Sequence, residues 1–182
     1  EAYDLFAEEV RASVDAGVDL FIIETMTDLA EIKAAVLACR ENSDLPVFAT
    51  MTFEEDGRTF LGTSPEVAAI TLDAIGADVL GINCSQGPAE LRGLAARMLT
   101  VTDKPVMVQA NAGLPHVDDD GNTVFDIQAP EYAEAVAGMI EDGVSVVGGC
   151  CGTTPTHMAA LRTLIDNHTP SPRHRKPSMS VT

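Results

Sequence analysis

The sequence predicts an α/β protein on a parallel sheet, amounting to five of the eight units of a (β/α)8 barrel, and three observations carry that expectation. Short β-rich runs alternate with amphipathic stretches at intervals of about 30 residues. The centres of the runs are continuously apolar (Leu20-Phe21-Ile22-Ile23, Val79-Leu80-Gly81-Ile82, Val106-Met107-Val108) rather than alternating, as in strands covered on both faces. No G-x-G-x-x-G follows any run, which removes the usual dinucleotide-binding alternative among parallel sheets.

The elements follow in order. An opening helix over Tyr3–Asp15 precedes strands expected at Val18–Glu24, Pro46–Phe53, Asp78–Asn83, Lys104–Asn111 and Val144–Gly149. Helices are expected between them at Leu29–Glu41, Pro65–Ile75, Ala89–Leu99 and Pro130–Asp142, and a last one at Pro155–Asn167. Gly17, Gly76 and Gly143 each precede a strand and stop a helix by taking the left-handed conformation. Pro65, Pro130 and Pro155 stand in first turns, with Ser64 and Thr154 as caps. A whole barrel needs about 250 residues, so this chain of 182 residues lacks three strands, and a fragment or completion by another chain is expected. Residues 1–167 read as the domain and 168–182, rich in Pro, Ser and basic residues, as an interdomain linker or disordered tail.

Composition narrows function. A net charge of −17 with only 11 Lys and Arg argues against nucleic acid, whose binding rests on cationic contacts to phosphate. No apolar run is long enough for a membrane span, and the N-terminus lacks the basic-then-apolar order of a signal peptide, so a cytoplasmic location is expected. Two of the four cysteines are adjacent and no secretory feature accompanies them, which favours reduced thiols over disulfides.

The chemistry gathers at two strand ends. Gly81-Ile-Asn-Cys-Ser places Cys84 where the third strand closes, and Gly148-Gly-Cys-Cys-Gly-Thr-Thr-Pro155 places Cys150 and Cys151 where the fifth closes. Both are carboxyl ends, the face that bears active sites in parallel α/β folds. Successive side chains on a strand point to opposite faces, so Cys150 and Cys151 reach one ion only if the backbone leaves strand geometry, a freedom that Gly148, Gly149 and Gly152 supply. Three thiolates suit Zn2+, and three protein ligands with an open fourth position are typical of catalytic sites. The site's net charge of about −1 leaves an added thiolate electron-rich, which suits alkylation better than hydrolysis. The plainer readings are a buried apolar cysteine pair, a vicinal disulfide, or a phosphate loop at a helix N-terminus.

Around these stand residues with two readings each. Glu24 closes the first strand, either to bind the ammonium of an amino-acid substrate or as a solvated strand-end carboxylate. Asn111 and Asn83 close the fourth and third strands, either to hydrogen-bond substrate or to orient loops. Thr50, Thr52, Gly62 and Thr63 are lining candidates, Asp28 a helix cap, and Cys39 a buried packing residue. His157 reads as a helix-surface residue, and Asp118-Asp-Asp-Gly121 as a solvated turn.

At Phe21-Ile-Ile-Glu-Thr, Met51-Thr-Phe, Gly81-Ile-Asn-Cys-Ser, Asn111-Ala-Gly and Gly148-Gly-Cys-Cys-Gly-Thr-Thr-Pro the sequence resembles the homocysteine S-methyltransferase family, most closely the homocysteine-binding domains of cobalamin-dependent methionine synthases. The resemblance runs from the first helix to about Asn167 and implies a (β/α)8 barrel whose first three strands are absent here. It implies Cys84, Cys150 and Cys151 as zinc ligands, Glu24 as a carboxylate that holds homocysteine, and a family position at Asn111 whose role it leaves open. It further implies methylation of homocysteine to methionine, with methylcobalamin bound by another domain and folate- and cobalamin-binding modules downstream of the linker. Betaine or S-methylmethionine as donor, or a non-catalytic zinc-stabilised fragment, are the alternatives.

Overall fold

The computed structural model describes residues 1–168. Its elements are α1 (Ala2–Ala16), β1 (Phe21–Met26), α2 (Leu29–Asn42), β2 (Val47–Met51), α3 (Pro65–Ala74), β3 (Val79–Asn83), α4 (Pro88–Leu99), β4 (Val106–Ala110), β5 (His116–Val117), β6 (Thr123–Val124), α5 (Ala129–Asp142), β7 (Val146–Gly149) and α6 (Pro155–Ile165). Five strands form one parallel sheet in the order β1-β2-β3-β4-β7, and β5 pairs antiparallel with β6. Sequence-adjacent strands lying side by side, each returned by a helix, are consecutive units of a (β/α)8 barrel. The expected linker lies outside the described residues apart from His168.

The helix boundaries have local causes. Asp28 caps α2 by accepting from the backbone N–H of Ala30 at 2.6 Å and of Glu31 at 3.1 Å, and Ser64 caps α3 through the N–H of Val67. Gly17 and Gly143 end α1 and α5 at φ +83° and +110°. The core lies between the helices and the outer face of the sheet, where Val47, Ala49, Met51, Leu80, Ile82, Val106 and Val108 meet Ile32, Val36, Leu72, Leu91, Met98 and Met139. Cys39 belongs to this core, and burial pushes its thiol up to about 11.

The first strand departs from expectation in its bounds, its register and its burial. It runs to Met26 rather than closing at Glu24, and its register against β2 slips between Ile23 and Met26. The cause is Thr25, which has φ +63° and gives its backbone N–H to the Asn83 side chain at 2.8 Å instead of to the ladder. Its burial also fails: β3 is buried throughout, but β1 is an edge, and Ile22 is 48 % exposed. The β5–β6 hairpin was not expected, although the Asp118 turn within it is exposed as read, with the Asp118 carboxylate accepting from the N–H groups of Asp120 and Asn122. Among the described residues no helix is long and apolar enough to cross a membrane.

Candidate metal and thiol site

Cys84 follows the last residue of β3, and Cys150 and Cys151 follow the last of β7, so all three stand beyond the carboxyl edge of the sheet. Cys84 and Ser85 both adopt positive φ, at +63° and +67°, which turns the chain abruptly at the strand end. Such a conformation costs a non-glycine residue about 1–2 kcal/mol; two in succession at a cluster of thiols mark a place where geometry overrides local comfort.

The Cys150-Cys151 corner is stapled to the segment after β4. Cys150 N–H donates to the Ala110 carbonyl at 2.8 Å, Cys151 N–H to Asn111 Oδ1 at 3.0 Å, and Ala112 N–H to the Cys151 carbonyl at 2.8 Å. The Thr153 hydroxyl closes the turn on the Cys150 carbonyl at 2.7 Å. Gly152 takes φ +78°, and a Cβ there would stand 2.2 Å from the Phe125 ring, so both conformation and space require glycine.

The result is convergence of three sulfurs. Cys84 Sγ lies 3.7 Å from Cys151 Sγ, Cys150 Sγ lies 4.0 Å from Cys151 Sγ, and all three fall within 4.8 Å of one another. Tetrahedral zinc with Zn–S bonds of about 2.3 Å sets its sulfurs about 3.8 Å apart, so the donor set fits such an ion. Burial, then the neighbouring Cys84 charge, pushes the Cys150 thiol up to about 12, and burial followed by the Cys84 hydrogen bond raises Cys151. Without a cation these thiols resist ionisation; a divalent ion supplies the compensating charge.

Asn83 is the hub beneath the cluster. It is fully buried; its Oδ1 accepts from Thr25 N–H at 2.8 Å and the Thr50 hydroxyl at 2.7 Å, and its Nδ2 donates to Thr25 Oγ1 at 2.7 Å and towards Cys150 Sγ at 3.9 Å. The four hydrogen-bonding positions of the amide are thereby used. Thr52 reaches the Asn83 carbonyl at 3.0 Å, which gives two of the threonine lining candidates a structural task. Glu24 stands apart, exposed on β1 beside Thr25, and has no hydrogen bond or ion pair among the described residues. Gly62 and Thr63 belong to the turn at Thr59, whose backbone they bond.

From the sequence His157 is misplaced, and Tyr132, Gln109 and Gln86 are passed over. His157 is buried rather than superficial: its Nδ1 accepts from Thr154 N–H at 3.2 Å, which leaves Nε2 to donate to the Ile127 carbonyl at 2.9 Å. Its ring meets Tyr132 edge-on at 5.5 Å, and the Tyr132 hydroxyl spans the Ala110 and Gly148 carbonyls at the foot of the cysteine corner. Gln109 and Gln86 each bury a polar atom, Oε1 and Nε2 respectively, with no partner. Inward parity on β4 is the signal that locates Gln109; a neutral amide carries no other.

Five barrel units with three convergent thiols at the carboxyl ends of two strands define a barrel protein with a tricysteine metal-type site on its active face. Residues 1–165 match the homocysteine S-methyltransferase family, and the chain belongs to that family. It is 38% identical over 170 residues to a methionine synthase of Mycobacterium tuberculosis, covering 90% of this chain but 14% of that protein. The chain thus spans about a seventh of that relative's length. The homocysteine methyltransferase MmuM of Escherichia coli shares the fold: its apo form superposes with a TM-score of 0.70 at 23% identity over 89% of this chain and 57% of that one. Its metallated form gives 0.68 at 24%, over 88% and 51%.

Proposed function

We propose that this chain is the thiol-activating part of a homocysteine S-methyltransferase, in which Cys84, Cys150 and Cys151 hold a zinc ion and homocysteine adds its sulfur at the position they leave open. The observation that carries the reading is the sulfur spacing of 3.7 and 4.0 Å, which suits a tetrahedral ion. Zinc bound there supplies the charge that lets a substrate thiol lose its proton at neutral pH. Asn83 and Asn111 act on the protein side, the first through its N–H towards Cys150 Sγ and the second by fixing the Cys151 backbone. Glu24, on the open face of β1, receives the ammonium of homocysteine. Methyl transfer forms the S–C bond of methionine and breaks the bond between methyl and donor.

The donor in this reading is methylcobalamin, delivered with folate chemistry by modules that follow residues 168–182 in a longer chain. Support comes from a relative named methionine synthase whose length is about seven times that of the match. Exposed Phe60, Leu61, Leu114 and Val117 on the loops after β2 and β4, at the cysteine end of the sheet, suit the approach of a large donor more than that of betaine or S-methylmethionine.

Metal analysis tests the ligand set: zinc near one per chain is expected, and its loss from Cys150→Ser. Retention of full zinc in that variant overturns the assignment. Zinc X-ray absorption with homocysteine then distinguishes activation from a merely structural ion, because activation adds a sulfur scatterer at about 2.3 Å.

A further inference from the structure

The five main strands carry neither Lys nor Arg. A substrate that is an amino acid brings a carboxylate as well as an ammonium, and what these five strands can offer the carboxylate is neutral N–H donors. Asn83 has no such donor left. Gln109 has. It points to the inner side of the sheet, since its neighbours Val108 and Ala110 belong to the core against the helices. In register it lies between Asn83 on β3 and Gly148 on β7, the residues one and two positions before Cys84 and Cys150. One residue along a strand is about 3.3 Å, so Gln109 stands about one residue short of the level of Cys84 and about two short of that of Cys150.

That amide is held by no partner among the described residues. Oε1 is buried, and neither end has a hydrogen-bond partner there, so the amide is free to turn about its last bond and present Nε2 to an incoming acceptor. Gly148 makes the room: a Cβ there would stand 3.3 Å from Gln109 Cγ and 3.9 Å from Nε2. Four bonds separate the sulfur of homocysteine from a carboxylate carbon, a reach of about 5 Å at ordinary bond lengths, which spans the interval between the two sites.

We propose that Gln109 Nε2 donates a hydrogen bond to the α-carboxylate of the thiol amino acid and so selects carboxylate-bearing thiols over simple ones. The inference rests on the thiol-activation reading above. Three thiols separate its parts: homocysteine, 4-mercaptobutanoate without the amino group, and 3-aminopropane-1-thiol without the carboxylate. Their dissociation constants are measured by calorimetry on the zinc-loaded full natural chain. In Gln109→Leu, the first two weaken about tenfold, the scale of a hydrogen bond to a charged group, while the aminothiol stays within twofold. In Gln109→Glu, a loss of at least that size is expected for both carboxylates, with the aminothiol held or tightened. Equal weakening of all three thiols, weakening confined to those with an amino group, or no change overturns the assignment, and the Glu variant decides it should the Leu variant fail to fold. If the unsubstituted protein takes up none of the three thiols, the thiol-activation reading fails instead.

Discussion

Asn83 concentrates more of the site's structure than any charged residue does. Its side chain satisfies the backbone of Thr25, the hydroxyl of Thr50 and a contact to Cys150, and it is wholly buried. Removing it leaves buried donors unpaired at about 1–3 kcal/mol each. Asn83→Ala is therefore expected to lower unfolding free energy by about 2–4 kcal/mol, read as a shifted urea midpoint; a loss under about 1 kcal/mol would show that Thr25 and Thr50 find other partners. Ser85 offers the opposite case. It sits at φ +67° and its side chain has no hydrogen bond among the described residues. Ser85→Gly relieves that conformation and should raise stability by about 0.5–1 kcal/mol with zinc content unchanged. A drop in either quantity contradicts the strain assigned to this corner.

At the scale of elements, the close approach of β3 and β4 depends on one missing side chain. A Cβ on Gly81 would stand 1.9 Å from the Met107 carbonyl oxygen, a backbone atom that cannot swing aside. Gly81→Ala should part the two strands that carry Cys84 and Gln109, costing about 3 kcal/mol or more and lowering zinc uptake with it; a variant of ordinary melting temperature would sink this account. The helices α3 and α4 are joined by Arg97, which donates to Glu66 at 2.7 and 2.8 Å and holds that carboxyl at about 2. Because the folded value lies below the unfolded one, the pair's stabilisation is complete above about pH 4.5 and is lost as pH falls towards 2. Both side chains are roughly a third exposed or more, so water screens the pair and its worth is on the order of 1 kcal/mol. Glu66→Gln should flatten the acid limb of the stability curve over that window while leaving pH 2 unchanged. Element order was legible in the sequence because continuous apolar runs and glycine stops are local signals. The end of β1 was not, since nothing at Thr25 announces a positive φ imposed by Asn83 from 58 residues away. The cysteines were legible as a cluster because thiols at two strand ends have few other uses, whereas Gln109 required the register of three strands.

At the scale of the whole molecule, the open side of the sheet sets the behaviour of the chain alone. Among the described residues β1 pairs only with β2, and Leu5, Val14, Val18, Leu20 and Ile22 are exposed along its flank. Beside them runs a groove lined by Phe6, Val10, Phe21, Ile23 and Met26. An unpaired parallel edge beside apolar surface favours pairing with another copy. Against this works the net charge of −17, whose repulsion between copies reaches about 30 Å at 0.01 M salt but only about 8 Å at 0.15 M. Association of the isolated 182-residue chain should therefore strengthen with salt, a direction opposite to that of contacts made by ion pairs. Sedimentation velocity at low and physiological salt measures it, and Ile22→Glu, which places a charge on the open face, should return the chain towards monomer at both. A longer natural chain that covers β1 should show neither the salt effect nor the response to Ile22→Glu. Monomeric behaviour of the isolated chain at both salts, at about 100 μM, would mean that charge alone suffices to protect an uncovered strand, and that closing the barrel serves the thiol site rather than solubility.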